Sequence, residues 1–275
     1  MDARSVLVTG ASTGIGLCVA QGLKARGYRV FGTARKKEDV ERLCGDGMEA
    51  VSMDLANSKS IQGTVKAVLE RTGGRLDALV NNAAYGQPGA VEDLTREILR
   101  EQFEVNLFGT HELANLILPV MRRQGYGRII QMSSLLGFVA LKYRGAYNAS
   151  KYALEGLSDT LRLELRGTGI QVVLIEPGPI SSRFRTNAFD AYARNIDRER
   201  SPHRAHYTEM ERYFQAEGRA TRFTLPPEAV LEKVIHALES PRPKVRYRVT
   251  FPAHLFAFLK RVLPDRLLDK VLARV

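Results

Sequence analysis

The chain has 275 residues, is 44% hydrophobic and 26% charged, and carries a formal net charge of +11. These values belong to an ordinary globular chain and exclude a collagen, a disordered tail protein and a disulfide scaffold. A chain of this length buries enough apolar surface to fold without disulfides or metals. Two cysteines, Cys18 and Cys44, form no framework, so a reducing compartment is expected. No run approaches the ~18 apolar residues of a spanning helix. Met1–Arg4 leads straight into Ser5–Val8, without room for a signal peptide. A soluble, cytoplasmic protein is expected. Residues 181–275 hold 19 basic and 11 acidic side chains, against 22 and 19 in residues 1–180, so the positive excess sits in the last third. No dense basic tract occurs, and no nucleic-acid partner is expected.

Short β-branched runs alternate with longer helical patterns along the chain. Strands are predicted near Ser5–Thr9, Arg29–Thr33, Glu49–Met53, Ala78–Asn81, Gly127–Met132 and Ile170–Ile175. Helices are predicted between them over Gly16–Arg26, Lys37–Leu43, Ser58–Arg71, Arg96–Arg123 and Ala146–Arg166. The strands read as continuous apolar runs, as in a parallel sheet covered on both faces. Strand–helix–strand repetition at this spacing predicts a doubly wound α/β fold. The pattern breaks after Ile180. Residues 183–222 are polar, arginine-rich and weakly periodic, without a strand signal. Long insertions of this kind are usually functional. Pro226-Pro227 opens a helix running to about Leu238, and Lys244–Val249 offers a seventh strand.

The first strand ends in Thr9-Gly10-Ala11-Ser12-Thr13-Gly14-Ile15-Gly16, where the next helix begins. Unpaired N–H groups at a helix N-terminus attract a pyrophosphate, and glycines let it approach. A ribose-binding carboxylate would stand about 20 residues further on. This chain instead has Thr33-Ala34-Arg35-Lys36-Lys37, with no acid before Glu38. A guanidinium suits a 2′-phosphate, so NADP(H) is the expected cofactor with Arg35 as main contact; the bland reading is an exposed helix start. Asp54 is placed either for the adenine edge or for a helix N-cap. Asn81-Asn82-Ala83-Ala84 ends strand four, where small residues admit the cofactor and Asn81 can tie neighbouring strands.

Tyr147 and Lys151 are four apart in a helical segment and share a face. A free tyrosine has a pKa of about 10. A nearby ammonium favours the phenolate and lowers that pKa, making the tyrosine a usable acid or base. Ser133-Ser134 ends strand five beside the start of this helix, where a hydroxyl can hold a substrate oxygen. Asn106 lies in an apolar helical stretch, either as a satisfied core amide or holding a relay water for Lys151.

On Thr9-Gly10-x3-Gly14-x-Gly16, Asp54, Asn81-Asn82-Ala83, Asn106, Ser134, Tyr147-x3-Lys151 and Pro177-Gly178, the chain resembles the short-chain dehydrogenase/reductase family over residues 5–182. The resemblance implies a Rossmann-type catalytic domain over 1–250, with a mostly or wholly parallel seven-stranded sheet and helices on both faces. It implies Tyr147 as general acid/base, Ser134 orienting the carbonyl, Lys151 binding the nicotinamide ribose and Asn106 holding a relay water. The cofactor would lie against Gly10, Ser12, Thr13, Gly14, Ile15, Gly16, Arg35, Asp54, Leu55, Asn82, Ala83, Tyr147, Lys151, Pro177, Gly178, Ile180 and Ser182. Two positions depart from the pattern: Ala84 stands where the family has glycine, and the glycine turn itself carries no basic residue. A homodimer or homotetramer is implied, since family members often pair through the helix that continues as Leu154, Leu157, Leu161 and Leu165.

In this family the segment after Pro177-Gly178 covers the substrate. Here residues 183–225 hold Phe184, Phe189, Tyr192, Tyr207, Tyr213, Phe214 and Phe223. These aromatics either line a site for a large apolar substrate or pack the insertion onto the body. With the apolar run Leu135–Val139, they favour a lipophilic aldehyde or ketone. The long tail resembles that of bacterial aldehyde-reducing members and their retinol- and steroid-acting relatives, by analogy only. The tail 251–275 is amphipathic and basic, and has three readings: packing on its own domain, a subunit interface, or weak contact with an anionic membrane surface. The five histidines make no HExxH, and no metal site is expected. The expected function is an NADPH-dependent carbonyl reductase. Its rivals are an NADP-linked alcohol, hydroxysteroid or retinol dehydrogenase working oxidatively, and a catalytically silent NADP(H)-sensing protein.

Overall fold

Seven strands form one wholly parallel sheet in the order β3-β2-β1-β4-β5-β6-β7: β1 Ser5–Val8, β2 Arg29–Ala34, β3 Glu49–Ser52, β4 Ala78–Asn81, β5 Gly127–Met132, β6 Ile170–Pro177 and β7 Arg246–Val249. The computed structural model describes residues 3–215 and 221–275. The helices are α1 Gly14–Ala25, α2 Lys37–Gly45, α3 Ser58–Arg71, α4 Arg96–Phe103, α5 Thr110–Gln124, α6 Gly145–Glu164, α7 Phe184–Asn195, α8 Arg204–Gln215, α9 Glu228–Glu239, α10 Phe251–Val262 and α11 Asp265–Leu272.

Successive strand side chains point to opposite faces, and here both faces are apolar. Val6, Val8, Val30, Val80, Ile130 and Val173 pack against α1, α2 and α9 through Val19, Leu23, Leu43, Val230 and Val234. Leu7, Phe31, Leu79, Ile129 and Val172 pack against α3 and α5 through Ile61, Val65, Leu113 and Ile117. This two-sided burial is why the strands read as continuous apolar runs. Strand order reverses between β1 and β4, and such a switch point opens a crevice at the carboxyl ends of the strands.

The helix predicted over Arg96–Arg123 is interrupted. A π-helical turn, Glu104–Gly109, separates α4 from α5. The turn packs closely: a Cβ on Gly109 would lie 1.9 Å from the carbonyl oxygen of Leu55. Without a side chain there, the turn seats against the end of β3 and carries Asn106 inward, 1% exposed.

The weakly periodic insertion folds into α7 and α8. Its ends are pinned together, Ser181 N donating to Leu225 O at 2.9 Å and Leu225 N to Pro179 O at 3.1 Å. Tyr192 and Tyr207 are buried with Leu94, Ile98, Ile196 and Met210 in a satellite core. The Tyr207 hydroxyl donates to Asp93 and accepts from Ala90 N. For these two aromatics, packing onto the body is the reading that holds. The tail folds back as α10 and α11, whose Phe256, Leu268 and Leu272 bury against Leu135 and Val139. Packing on its own chain therefore accounts for one face of the tail. Leu154 of α6 and Leu165, which caps its C-terminus, enter the core while Leu157 is exposed.

Gly109→Ala is expected to force α5 away from Leu55 and cost about 1–3 kcal/mol by overpacking. Denaturant unfolding checks this as a lower midpoint at unchanged slope.

Candidate active site

The glycine turn is built from β1, α1 and the end of β4. The Thr9 hydroxyl accepts hydrogen bonds from Asn82 N and Ala83 N, both at 2.9 Å. The Asn82 amide donates back to Thr9 O at 2.9 Å and Gly10 O at 3.3 Å. A Cβ on Gly16 would sit 2.1 Å from Gly10 O and 2.5 Å from Asn82 Nδ2, so this helix start admits only glycine. Gly10 and Gly14 have φ of +64° and +57°, a region open to glycine without strain. Thr13 caps α1 without a side-chain hydrogen bond, which leaves first-turn N–H groups for an anion. Ser182 closes over Gly14 from the loop after β6, its Cβ 3.0 Å from where a Gly14 Cβ would lie.

The crevice is one continuous cavity of about 1450 Å³. Gly10, Ser12, Thr13, Gly14, Ile15, Gly16, Arg35, Asp54, Leu55, Asn82, Ala83, Ser134, Tyr147, Lys151, Pro177, Gly178, Ile180 and Ser182 all line it. Asp54 accepts from Ala56 N at 2.9 Å, while the cap of α3 is Asn57; the helix-cap reading therefore belongs to Asn57. Asn81 donates to Gln131 at 3.1 Å and ties β4 to β5. Uncapped N–H groups and an exposed guanidinium as donors, with a carboxylate as acceptor, fit a nicotinamide dinucleotide.

Asn106 is the exception among the predicted residues. It lies behind the cavity wall, accepting from Tyr85 N at 3.1 Å and donating to Tyr85 O at 2.9 Å and Ser150 Oγ at 3.2 Å. Both ends of its amide have protein partners, as the core-amide reading requires.

Tyr147 and Lys151 emerge on one face of α6, as their spacing predicts. Lys151 Nζ donates to Met132 O at 2.7 Å and lies 5.7 Å from the Tyr147 ring centre. Burial pushes the phenol up to about 12, and a hydrogen bond with Ser134 pulls the other way. The lowering expected from the Lys151 ammonium is not found; exclusion of water, which disfavours a buried phenolate, dominates. Burial also pushes Lys151 down to about 8, opposed by the negative charge of Glu155. Exclusion of water thus favours the neutral phenol and loosens the lysine proton. The Ser134 hydroxyl also accepts from Leu136 N at 3.1 Å. Ser133 is buried on the far side, toward Glu155. Phe184 packs edge-on to Tyr147 with ring centres 5.2 Å apart. Phe223, at the opposite rim, stacks on Phe251 at 5.4 Å. These two aromatics line the cavity. The side chains of Tyr213 and Phe214 lie outside the described residues.

Sequence reasoning missed a buried ionic group behind Lys151. Arg246 of β7 pairs with Glu155 at 3.0 Å, Asp159 at 2.6 Å and Glu176 at 3.0 Å, and Arg248 pairs with Glu176 at 3.2 Å. Burial and the neighbouring Glu155 push Glu176 up to about 7, against the pull of both arginines. One signal was available: Glu155 follows Lys151 by four residues on the same helix face. Asp159 follows Glu155 at the same spacing, while Arg246, Arg248 and Glu176 come from distant strands and carried no such signal. Arg42 of α2 was also missed. It donates to Ser12 O at 2.7 Å and brings to the glycine turn the positive charge that the turn lacks in sequence. Among the described residues no group of three or more His, Cys, Asp or Glu could hold a metal; His203 instead bonds Glu92 at 2.6 Å.

A family model described as short chain dehydrogenase matches residues 4–193. The uncharacterized oxidoreductase YbbO of Escherichia coli (strain K12) is 42% identical over 269 residues, which cover 98% of this chain and 94% of that protein. A protein of Ornithobacterium rhinotracheale named NADPH-dependent 3-dehydrocapnine reductase is 32% identical over 277 residues, covering 98% and 95%. The crystal structure of a short-chain dehydrogenase from Streptomyces avermitilis superposes with a TM-score of 0.76 at 32% identity, over 98% of this chain and 97% of that one.

Glu155→Gln removes the charge that helps Lys151 keep its proton. An NMR titration of isotope-labelled lysine is expected to place the Lys151 midpoint at a lower pH in the variant than in the unaltered chain. An unmoved midpoint would detach Glu155 from the lysine.

Proposed function

The chain belongs to the short-chain dehydrogenase/reductase family, and from that premise we propose that it is an NADPH-dependent reductase of hydrophobic aldehydes and ketones. The observation that carries this reading is the placement of Tyr147, Ser134 and Lys151 together on the cavity, with Lys151 Nζ 5.7 Å from the Tyr147 ring centre and apolar side chains in the same lining. The bound dinucleotide would supply the hydride to the carbonyl carbon. The carbonyl oxygen, taking the π electron pair, would be held by the Ser134 hydroxyl and would receive the Tyr147 proton. The Lys151 ammonium stabilises the phenolate left behind, and falls within the range where a buried lysine can also pass on a proton. Oxidation of an alcohol would run the same proton path in reverse, with Tyr147 as the base, so one site serves both directions.

Selection of NADPH rests on Arg35, exposed at the end of β2 beside the cavity with no acid before Glu38. Arg42 adds positive charge over Ser12. The relative named for NADPH dependence is consistent with this choice. A lipophilic substrate is supported by the cavity wall beyond Tyr147, made of Leu135, Leu136, Val139, Phe184, Phe223 and Leu255. The exposed Leu157 and Leu163 of α6 support pairing of subunits as a homodimer or homotetramer.

NADPH consumption against carbonyls graded by chain length is expected to give kcat/KM values that rise with apolar size. Tyr147→Phe should lower turnover by about 10²–10⁴-fold. A flat response to substrate size would remove the lipophilic reading, and full turnover in Tyr147→Phe would remove the acid. Arg35→Ala should shrink the preference for NADPH over NADH roughly ten- to hundredfold, equivalent to about 1.5–3 kcal/mol for a hydrogen bond to a charged group. Steady-state kinetics with both cofactors checks it.

A further inference from the structure

The tail helix α10 is apolar on two faces, and the chain covers one of them. Ala253, Phe256 and Ala257 are buried. On the other face Phe251, Leu255, Phe258 and Val262 fall at i, i+4, i+7 and i+11, a single helical stripe. They are 60%, 37%, 62% and 53% exposed, and Leu267 of α11 is 48% exposed. Isolated apolar residues on a surface need no explanation, but a contiguous stripe of large ones marks an interaction site.

Two further features identify what covers it. The stripe runs out of the cavity mouth: Phe251 and Leu255 line the cavity, and Phe223 stacks on Phe251. The stripe therefore shares two apolar residues with the cavity that holds Tyr147. The stripe is also set in positive charge. Arg261, Arg266 and Lys270 are exposed on the same two helices and Arg274 just beyond them, and residues 251–275 contain only Asp265 and Asp269 as acids. A second copy of the chain would bring this same positive surface against itself, which like-charge repulsion opposes. An anionic lipid surface satisfies the apolar stripe and the cations together.

We propose that α10 and α11 seat the protein on an anionic bilayer surface, with Phe258 and Val262 entering the headgroup–acyl boundary and the cavity mouth turned toward the lipid. No helix among the described residues is long and apolar enough to cross a membrane, so the contact is interfacial and reversible. It stands on exposure and charge alone and does not depend on which carbonyl is reduced. Its consequence for the site is that a lipophilic substrate enters from the acyl region without crossing water.

The full chain is tested by co-sedimentation with vesicles of phosphatidylcholine, with and without phosphatidylglycerol. Binding is expected to the anionic vesicles, to weaken with salt, and to be reduced by at least about tenfold in Phe258→Glu/Val262→Glu. Neither residue lines the cavity, so turnover of a short, water-soluble carbonyl and the unfolding midpoint should be retained in the variant. Absence of binding to anionic vesicles overturns the proposal, as does equal binding by the variant. A dimer that the double variant converts to monomers in light scattering, without vesicle binding, would give the stripe to a second copy instead. Binding is read without turnover, so its failure is separate from failure of the reductase reading.

Discussion

The Thr9 hydroxyl accepts hydrogen bonds from two successive backbone N–H groups, those of Asn82 and Ala83, and the floor of the cavity depends on that pairing. It fastens the end of β4 to the turn after β1, at the point where strand order reverses. The Asn82 side chain completes the clamp through Thr9 O and Gly10 O. Gly16 then has to be glycine because the clamp occupies the space of its Cβ. Left without their acceptor, buried N–H groups of this kind cost about 1–3 kcal/mol each, so the clamp holds the turn in one geometry. The unpaired N–H groups of α1 are presented to the cavity only because that geometry is fixed.

On this scaffold the chemistry is set by burial more than by pair attraction. Burial acts on Tyr147 and Lys151 in opposite senses, holding the phenol neutral and loosening the lysine proton. Glu155 moderates the second effect, and it is held by Arg246, which also holds Glu176 on the neighbouring strand. Glu155 and Glu176 are the buried members, and replacing Arg246 leaves their charges uncompensated away from water. The ionic group therefore couples the outer strand β7 to the lysine at the centre of the sheet, although no member of it except Glu155 lies on α6 within one turn of Lys151.

The last third of the chain divides its aromatics between two tasks. Tyr192 and Tyr207 anchor the insertion to the body, while Phe184 and Phe223 face the cavity. In the tail, Phe256 is buried and Phe251 and Phe258 are exposed. Composition alone could not separate these roles, because each task calls for the same residue type. The helical register separates them, and register within a weakly periodic, arginine-rich segment is poorly marked by hydrophobic spacing.

The linear sequence by itself determined the strand positions, the parallel doubly wound architecture, the glycine turn, and the helix face shared by Tyr147 and Lys151. Each of these depends on local spacing: apolar runs for buried strands, glycines where a Cβ cannot fit, and four-residue separation on a helix. Tertiary structure decided the rest. The π-helical turn at Glu104–Gly109 seats Gly109 against Leu55, more than 50 positions away in sequence. The core bonding of Asn106 depends on Tyr85 and Ser150, and Arg42 reaches Ser12 from a different helix. The direction in which the Tyr147 phenol titrates depends on how completely water is excluded around it. That quantity belongs to the packing of several elements at once, and no spacing along the chain encodes it.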